Sequence, residues 1–216
     1  LPHEHIETYR RLLDRFEHIS VRESAGADIV EGLLGRRPPV VLDPTLLLGE
    51  DEWEPISEKG AEPRGRYLLL YLLAESPPIL RYARRLARER GLKIVYVSQR
   101  LFRPSGIETL HSATPYDFVR LLKEATAVVT NSFHGMAFAL NFSKELHYDL
   151  LPPPAQVNSR LSNLAERFDL GSRCIHGSRT TLRSPDVFEV RHWQELLGAA
   201  REDSWNALRC MMEVGK

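Results

Sequence analysis

Side chains able to transfer protons or bind anions stand at one abrupt change of pattern in the second half of the chain. The apolar run Ala127–Thr130 is followed at once by Asn131, Ser132 and His134, and apolar residues with helical spacing resume after Gly135. This pattern predicts a strand, a tight turn and the start of a helix. Ligands of open α/β sheets bind where strands end, and the next helix offers unpaired N–H groups to an anion. His134 is therefore a candidate catalytic residue, and Asn131 and Ser132 are candidate substrate-binding residues.

Three further polar clusters follow predicted strands or precede a predicted helix. Their members are Arg22 with Glu23, Asp43, and Asn158 with Arg160. If the strands are parallel, the first two clusters lie with residues 131–134 at one end of one sheet. Guanidinium groups bind carboxylate and phosphate in a bidentate fashion, so Arg22 and Arg160 would suit an anionic substrate.

Each cluster also has a purely structural interpretation. Asn, Ser and Gly are common in turns for backbone reasons alone. Arg22 can be a solvated surface cation, Asp43 can end a strand, and Asn158 can cap a helix. The four clusters are therefore candidates for substrate binding, and their chemistry alone leaves both interpretations open.

The elements that must position these residues follow an alternating order. Apolar stretches of strand length alternate with amphipathic stretches of helix length, which predicts an α/β, Rossmann-like fold with a mostly parallel sheet flanked by helices. The predicted strands are 18–21, 40–42, 67–73, 93–98, 127–130 and 146–150. Helix starts are predicted at Ser24, Ser76 and Thr114, and Gly35 and Gly91 are predicted to end the first two. Residues 157–168 are predicted as helical, and residues 187–212 as two further helices.

Changes of composition along the chain predict four parts. Residues 1–48 form an opening helix and a βαβ piece, and residues 49–66, rich in charge and proline, form a surface connection. Residues 67–184 form the Rossmann-like catalytic domain, and residues 185–216 the carboxyl-terminal helices.

Overall composition limits the class of partner. The 216 residues are 43% hydrophobic, and 29 Lys and Arg balance 29 Asp and Glu, so no overall charge recruits nucleic acid or an anionic membrane. The longest apolar run, 67–74, is far below the roughly 20 residues needed to cross a bilayer. Cys174 and Cys210 have neither metal-ligand spacing nor a disulfide framework. We expect a cytoplasmic protein with no metal site and no nucleic-acid partner.

Four motifs, taken in order, resemble the polysaccharide pyruvyl transferase family. They are Ile-Ser-Val-Arg-Glu at 19–23, Leu-Asp-Pro-Thr-Leu-Leu-Leu at 42–48 with Trp53, Val-Thr-Asn-Ser-Phe-His-Gly at 129–135, and Asn-Ser-Arg-Leu at 158–161. The Ser-Phe-His-Gly element is the most specific of them. The resemblance extends to about Ile175 and matches only the later part of the family pattern.

The resemblance implies an enzyme that moves the pyruvate unit of phosphoenolpyruvate onto two hydroxyls of a sugar. The product is a cyclic ketal on an exopolysaccharide, capsule or cell-wall precursor, with a sugar or lipid-linked oligosaccharide as acceptor, no cofactor besides the donor, and possible peripheral association with a membrane. Family members are similar to two-domain glycosyltransferase-B-like proteins. We therefore expect this chain to correspond to one half, to lack the usual amino-terminal domain, and to be inactive by itself.

The chemistry assigns roles to the candidate residues. Ketal formation needs an acid or base, which His134 can supply, and a cationic clamp for carboxylate and phosphate, which Arg22 and Arg160 can supply. Asn131 and Ser132 can hold sugar or phosphate oxygens. Two rival functions remain at this stage: a sugar-nucleotide-dependent glycosyltransferase of similar fold, and a non-catalytic glycan- or phosphate-binding domain.

Overall fold

The structure is a computed structural model and describes residues 3–63, 65–98, 104–151, 158–176 and 184–213. The chain divides into two compact units. The first contains Leu1–Leu47 and Gly198–Lys216, and the second contains Leu48–Leu197.

The second unit is built on a five-stranded parallel sheet. Its strands are β1 (Tyr67–Tyr71), β2 (Lys93–Val97), β3 (Glu108–Leu110), β4 (Ala127–Thr130) and β5 (Glu145–Tyr148). They lie in the order β3-β2-β1-β4-β5, and every neighbouring pair is parallel. The predicted α/β, Rossmann-like class is therefore confirmed. Strand β3 was missed, because three half-exposed residues at the end of a sheet carry no continuous apolar signal.

The central strands read as unbroken apolar runs because helices cover both faces of the sheet. Leu68 and Leu70 of β1 pack in one cluster with Ile79 and Ala83, which follow on the next helix. On the opposite face, the Tyr67 hydroxyl donates to the Leu121 carbonyl at 2.7 Å. All of these apolar side chains are buried, so the sheet is a rigid support for the loops at its ends.

Helices precede, connect and follow these strands in the second unit. They are α4 (Glu50–Ser57), α5 (Pro77–Arg90), α6 (Pro115–Glu124), α7 (Phe133–Asn141) and α8 (Asn158–Arg167), followed by the first part of α9 (Val187–Glu213). A 3-10 turn at Gly171–Arg173 lies between the last two. The stretch 49–66, predicted as a surface connection, contains α4, whose first turn carries three acidic residues suited to a helix amino terminus.

The predicted helix signals act as capping groups at α5 and α6. The Ser76 hydroxyl accepts from the Ile79 amide, and Gly91 ends α5 in the left-handed conformation at φ 62°. Thr114 and Asp117 form a reciprocal capping box at α6.

The first unit contains α1 (Ile6–Leu13), α2 (Ser24–Leu34), α3 (Pro44–Leu47) and the later part of α9. Helix α2 begins with Ser24 as its first residue and Glu23 as its N-cap, one position earlier than the predicted cap at Ser24, and it ends at Gly35 as predicted.

The predicted strands 18–21 and 40–42 are wrong as members of the main sheet. They reduce to one parallel bridge between Val21 and Val40 in the first unit. The ladder does not extend, because the Leu42 amide donates to the Ser204 hydroxyl at 3.0 Å and Pro44 follows shortly after.

The two carboxyl-terminal helices predicted within 187–212 are one helix, α9. Trp193, Leu197 and Ala200 are buried along it, so one apolar face continues through Gly198. A glycine without a following proline weakens a helix by about 1 kcal/mol but does not end it.

Among the described residues, no helix combines the length and apolar character that a bilayer crossing requires.

Candidate functional site

The strand order reverses direction between β1 and β4. The chain leaves β1 toward β2 on one side, and it leaves β4 toward β5 on the other. In parallel sheets this reversal opens a crevice at the carboxyl ends of the two strands, where ligands bind. Tyr71 and Thr130 are register partners at that end, so the turn after Thr130 lies at the crevice.

Thr130 and Asn131 tie the two strand ends together. The Thr130 hydroxyl donates to the Tyr71 carbonyl at 2.6 Å and accepts from the Ser132 amide at 3.0 Å. The Asn131 side chain accepts from the Leu73 amide and donates to the Ala74 carbonyl, both at 2.8 Å, and is fully buried. The structure therefore gives Asn131 a positioning role in the loop after β1, and its contact with substrate stays a prediction.

Ser132 begins helix α7. Its hydroxyl accepts from the Gly135 amide at 3.4 Å, and its side chain also hydrogen bonds with the Tyr71 phenol. Burial raises the pKa of Tyr71 against the opposing effect of that bond, so the phenol is neutral at physiological pH. Ser132 is only 1% exposed.

Gly135 is required by a close approach between α7 and β4. A Cβ on Gly135 would overlap the Thr130 hydroxyl and lie 3.0 Å from its Cβ and 3.1 Å from its Cγ2. The glycine therefore lets the first turn of α7 pack directly on the strand end.

His134 is exposed on that first turn, and its ring contacts Phe133 edge-on at 5.5 Å between centroids. The imidazole is thus accessible to solvent, and it lies beside the positive end of the α7 dipole.

Asn158 and Arg160 are held at the carboxyl end of β5. The Asn158 amide donates to the Leu151 carbonyl and accepts from the Leu151 amide, both at 2.9 Å. This pairing ties the start of α8 to the chain that leaves β5, the neighbour of β4. Arg160 is half-buried in the first turn of α8. Asn131, Ser132, His134, Asn158 and Arg160 therefore all lie at the carboxyl end of the strand pair β4 and β5.

Arg22 and Asp43 form an ion pair within the first unit. The Thr45 amide and hydroxyl also donate to Asp43, at 3.0 and 2.8 Å. Burial alone would raise the pKa of the Asp43 carboxyl, but the bonds from Thr45 and Arg22 outweigh it and lower the pKa. The expectation that these clusters share one end of one sheet with residues 131–134 is wrong, because neither follows a strand of the five-stranded sheet.

Two further titratable residues, Asp149 and His176, lie at the carboxyl end of β5 and were missed by the sequence analysis. Asp149 is 2% exposed and pairs with Nδ1 of His176. A signal for Asp149 existed, since it was a charged residue inside the predicted apolar strand 146–150. His176 lies just beyond Ile175, where the resemblance to the family ends, so no pattern drew attention to it.

A cavity of about 730 Å³ opens at the carboxyl ends of β1, β2 and β3. This volume is in the range of small-molecule sites. Its lining includes the residues Tyr71, Leu73, Ser98, His111, Thr114 and Phe118.

Over the parts of the chain that the structure describes, no group of three His, Cys, Asp or Glu side chains is arranged to hold a metal ion.

A parallel sheet in this order, flanked by helices, defines a Rossmann-like α/β domain. A family model for polysaccharide pyruvyl transferase matches residues 1–146, and the chain belongs to that family. The resemblance carried by the sequence motifs is thereby confirmed. A comparison with curated proteins gives no match.

Solved structures with a similar fold include three carbohydrate-related proteins. UDP-GlcNAc 2-epimerase from Neisseria meningitidis bound to UDP-GlcNAc is 8% identical, with a TM-score of 0.48 over 89% of this chain and 60% of that one. The wall teichoic acid polymerase TagF is 11% identical, with a TM-score of 0.46 over 100% of this chain and 64% of that one. The glycosyltransferase SnogD from Streptomyces nogalater is 12% identical, with a TM-score of 0.38 over 89% and 62%. The chain thus spans between 60% and 64% of the length of these three structures.

Replacing Gly135 by alanine should destabilise the second unit. Alanine favours a helix by about 1 kcal/mol, but the overlap with Thr130 puts the overpacking cost at about 2–3 kcal/mol, so a net loss of about 1–2 kcal/mol is expected in urea unfolding. Gly171→Ala is the matched control in the same unit, because nothing lies within 4 Å of its added Cβ. A Gly135→Ala variant as stable as wild type would contradict the close approach.

The Asp43 ion pair should make the first unit sensitive to acid. Because folding lowers the pKa of Asp43, its contribution is complete above the unfolded value of about 3.9 and is lost as pH falls through the lower folded value. Asp43→Asn should cost about 1.5–3 kcal/mol at pH 7 and flatten the loss of stability below pH 4, measured by urea unfolding across pH. Asp28→Asn, which removes a carboxylate from an exposed pair with Arg37, should change stability little. Equal acid sensitivity of wild type and Asp43→Asn would refute the assignment.

Proposed function

We propose that this chain forms the phosphoenolpyruvate-holding part of an enzyme that transfers pyruvate to a sugar as a cyclic ketal. The observation that carries the proposal is the exposed His134 on the first turn of α7, at the strand reversal of the sheet. A polar turn at this point meets the general requirements for binding an anionic ligand. Membership of the polysaccharide pyruvyl transferase family supports the reaction class.

The reaction needs one acid, one base and a cationic clamp. The methylene carbon of phosphoenolpyruvate takes a proton while the first sugar hydroxyl attacks the neighbouring carbon and gives up its own proton. The bond to the phosphate oxygen then breaks, and phosphate leaves with the bonding pair. The second hydroxyl adds to the same carbon, loses its proton and closes the ketal. Phosphoenolpyruvate is the donor substrate. Because no atom changes its oxidation state through an external oxidant or reductant, we propose no further cofactor.

His134 supplies one of the proton-transfer groups, because its imidazole is exposed and held on a rigid turn. Arg160 and Arg22 supply cationic groups for the donor carboxylate and phosphate, for which planar guanidinium is well suited. Ser132 and Asn131 hold the turn in place and offer their remaining hydrogen-bonding capacity to donor or sugar oxygens.

The acceptor is a sugar of an exopolysaccharide, capsule or cell-wall precursor, free or linked to lipid. We propose that the reaction takes place in the cytoplasm, where phosphoenolpyruvate is available, with contact to the membrane made only through a lipid-linked acceptor. The chain has 29 basic and 29 acidic residues, so it carries no net charge that would attract nucleic acid.

His134→Gln should abolish most turnover without unfolding the protein. A positioned acid or base is worth about a hundred- to ten-thousand-fold in rate, and an exposed side chain contributes little to stability. The measurement is phosphate release and ketal formation by mass spectrometry, with the complete protein that contains this chain. His192→Gln, which changes an exposed histidine on α9, is the matched control. Activity of His134→Gln within about twofold of wild type would remove His134 from the mechanism.

Arg160→Met and Arg22→Met should each weaken binding of phosphoenolpyruvate by tenfold or more, because a hydrogen bond to a charged group contributes about 1.5–3 kcal/mol. Calorimetry measures the effect, and Arg81→Met, at an exposed position of α5, is the control.

Titration with a panel of nucleotide sugars in the same experiment tests the two rival functions, a glycosyltransferase and a non-catalytic binding domain. Tighter binding of a nucleotide sugar than of phosphoenolpyruvate would favour a glycosyltransferase, and binding of phosphoenolpyruvate without turnover would favour a binding module.

A further inference from the structure

Asp149 and His176 form a carboxylate–imidazole pair at the ligand-binding end of the sheet. Asp149 follows β5 directly, and the segment that carries His176 runs beside the same strand end. A parallel bridge joins Tyr148 to Cys174, and the Ile175 amide donates to the Tyr148 carbonyl at 2.8 Å. The position of His176 is therefore set by backbone pairing as well as by its side chain.

The pair differs from an ordinary surface ion pair in how its two members are buried. The Asp149 side chain is 2% exposed, whereas the His176 side chain is 65% exposed. Burial of a carboxylate is costly unless hydrogen bonds compensate it, and here the Leu150 amide donates to Oδ1 at 2.8 Å while Nδ1 of His176 faces Oδ2. The carboxylate is thus a fixed part of the sheet end, and the imidazole is the accessible member.

This geometry selects one tautomer of the imidazole. A proton on Nδ1 is donated to the Asp149 carboxylate, which leaves the lone pair on Nε2 available as a proton acceptor. When Nε2 takes up a proton, the carboxylate lies where it offsets the positive charge of the ring. The same logic of an orienting carboxylate behind an imidazole base recurs in hydrolases of unrelated folds.

Asp149, the buried member of the pair, lies next to the turn that carries His134. Strands β4 and β5 are neighbours in the sheet, and the Asp149 amide donates to the Thr130 carbonyl at 3.1 Å. The chain that leaves β5 is therefore bonded to the last residue of β4, one residue before the Asn131 turn begins. His134 follows β4 and His176 follows Cys174, which bridges to the other side of β5, so both imidazoles lie at the carboxyl end of the sheet with β5 between them.

We propose that His176 is the general base of pyruvyl transfer and that Asp149 is its positioning residue. This inference rests on the proposed function. Nε2 of His176 accepts the proton of the attacking sugar hydroxyl as that oxygen bonds to the carbon bearing the phosphate. The π electrons of the donor double bond form the new C–H bond at the methylene carbon, with the proton supplied by His134. Phosphate then departs with its bonding pair, and the second hydroxyl passes its proton to a base as the ring closes.

The test compares five proteins, each as the complete protein that contains this chain, with phosphoenolpyruvate and an acceptor glycan. They are wild type, His176→Gln, His176→Ala, Asp149→Asn and the control His192→Gln. His192 is the matched control because it is 50% exposed and faces a carboxylate, Asp169, at 3.9 Å. His176→Gln should lower kcat by about a hundredfold or more, with KM for phosphoenolpyruvate unchanged, and His192→Gln should match wild type.

Two readouts separate proton transfer from a merely structural role. His176→Ala should regain part of its lost kcat when imidazole is added, because a free base can enter the space left at an exposed site. Asp149→Asn should lower kcat to a value between those of wild type and His176→Gln, because the base remains but its tautomer and orientation are no longer held. Thermal unfolding of His176→Gln should match wild type, which keeps the test valid even if Asp149→Asn folds poorly.

The outcomes distinguish failure of this inference from failure of the proposed function. If wild type forms ketal and His176→Gln retains activity within about twofold, pyruvyl transfer stands and the base is another group. If His176→Gln raises KM while kcat is kept, or imidazole fails to rescue His176→Ala, proton transfer by His176 is refuted. If wild type forms no ketal and releases no phosphate, the proposed function and this inference fall together.

Discussion

The hydroxyl of Thr130 is the interaction on which the site depends. It donates to the Tyr71 carbonyl and accepts from the Ser132 amide, so one buried oxygen joins the end of β1 to the turn after β4. A neutral buried hydrogen bond contributes about 1 kcal/mol net, but losing one partner leaves the other unpaired at a cost of about 1–3 kcal/mol. Because α7 packs directly on this threonine, only glycine fits at position 135, and the place of His134 on the first turn follows from that contact.

Most of the fold could be predicted from local patterns because the sheet is covered on both faces. Strand β1 reads as an uninterrupted apolar run, and the capping groups Ser76 and Thr114 mark helix starts through hydrogen bonds spanning three residues. Local patterns failed where pairing is decided by distant groups. The apolar residues 40–42 look like a strand, but a hydroxyl of Ser204, far along the chain, takes the amide that a neighbouring strand would need. The short strand β3 exists because β2 offers it a partner, which its own three residues do not signal.

The sequence predicted where the polar turn lies, but it did not predict the hydrogen bonds that its side chains make. The change from apolar to polar residues at Asn131 located the end of β4 and the start of α7 correctly. The side-chain amide of Asn131, however, hydrogen bonds to the backbone of residues 73 and 74. Local spacing cannot predict such a contact, because Asn131 and Leu73 are 58 positions apart in the sequence. Asp149 was hidden for the opposite reason, since an apolar neighbourhood made it look like part of a strand. A charged residue at the end of a buried run is a signal of the same kind as Asn131, and it needs the position of His176 to acquire a chemical meaning.

The all-parallel sheet also decides when the crevice can form as the chain folds. Its two walls come from Leu68 and Ala127 and their neighbours, which pair across a long intervening segment, whereas β1 and β2 pair over less than half that separation. The entropy of closing a loop rises with its length, and non-local pairing slows folding. We therefore expect β2 and α5 to dock on β1 before β4 does. On a ribosome, the bond from the Asp149 amide to the Thr130 carbonyl can form only after β5 has emerged, so the polar turn after β4 acquires its final contacts late in the synthesis of the second unit.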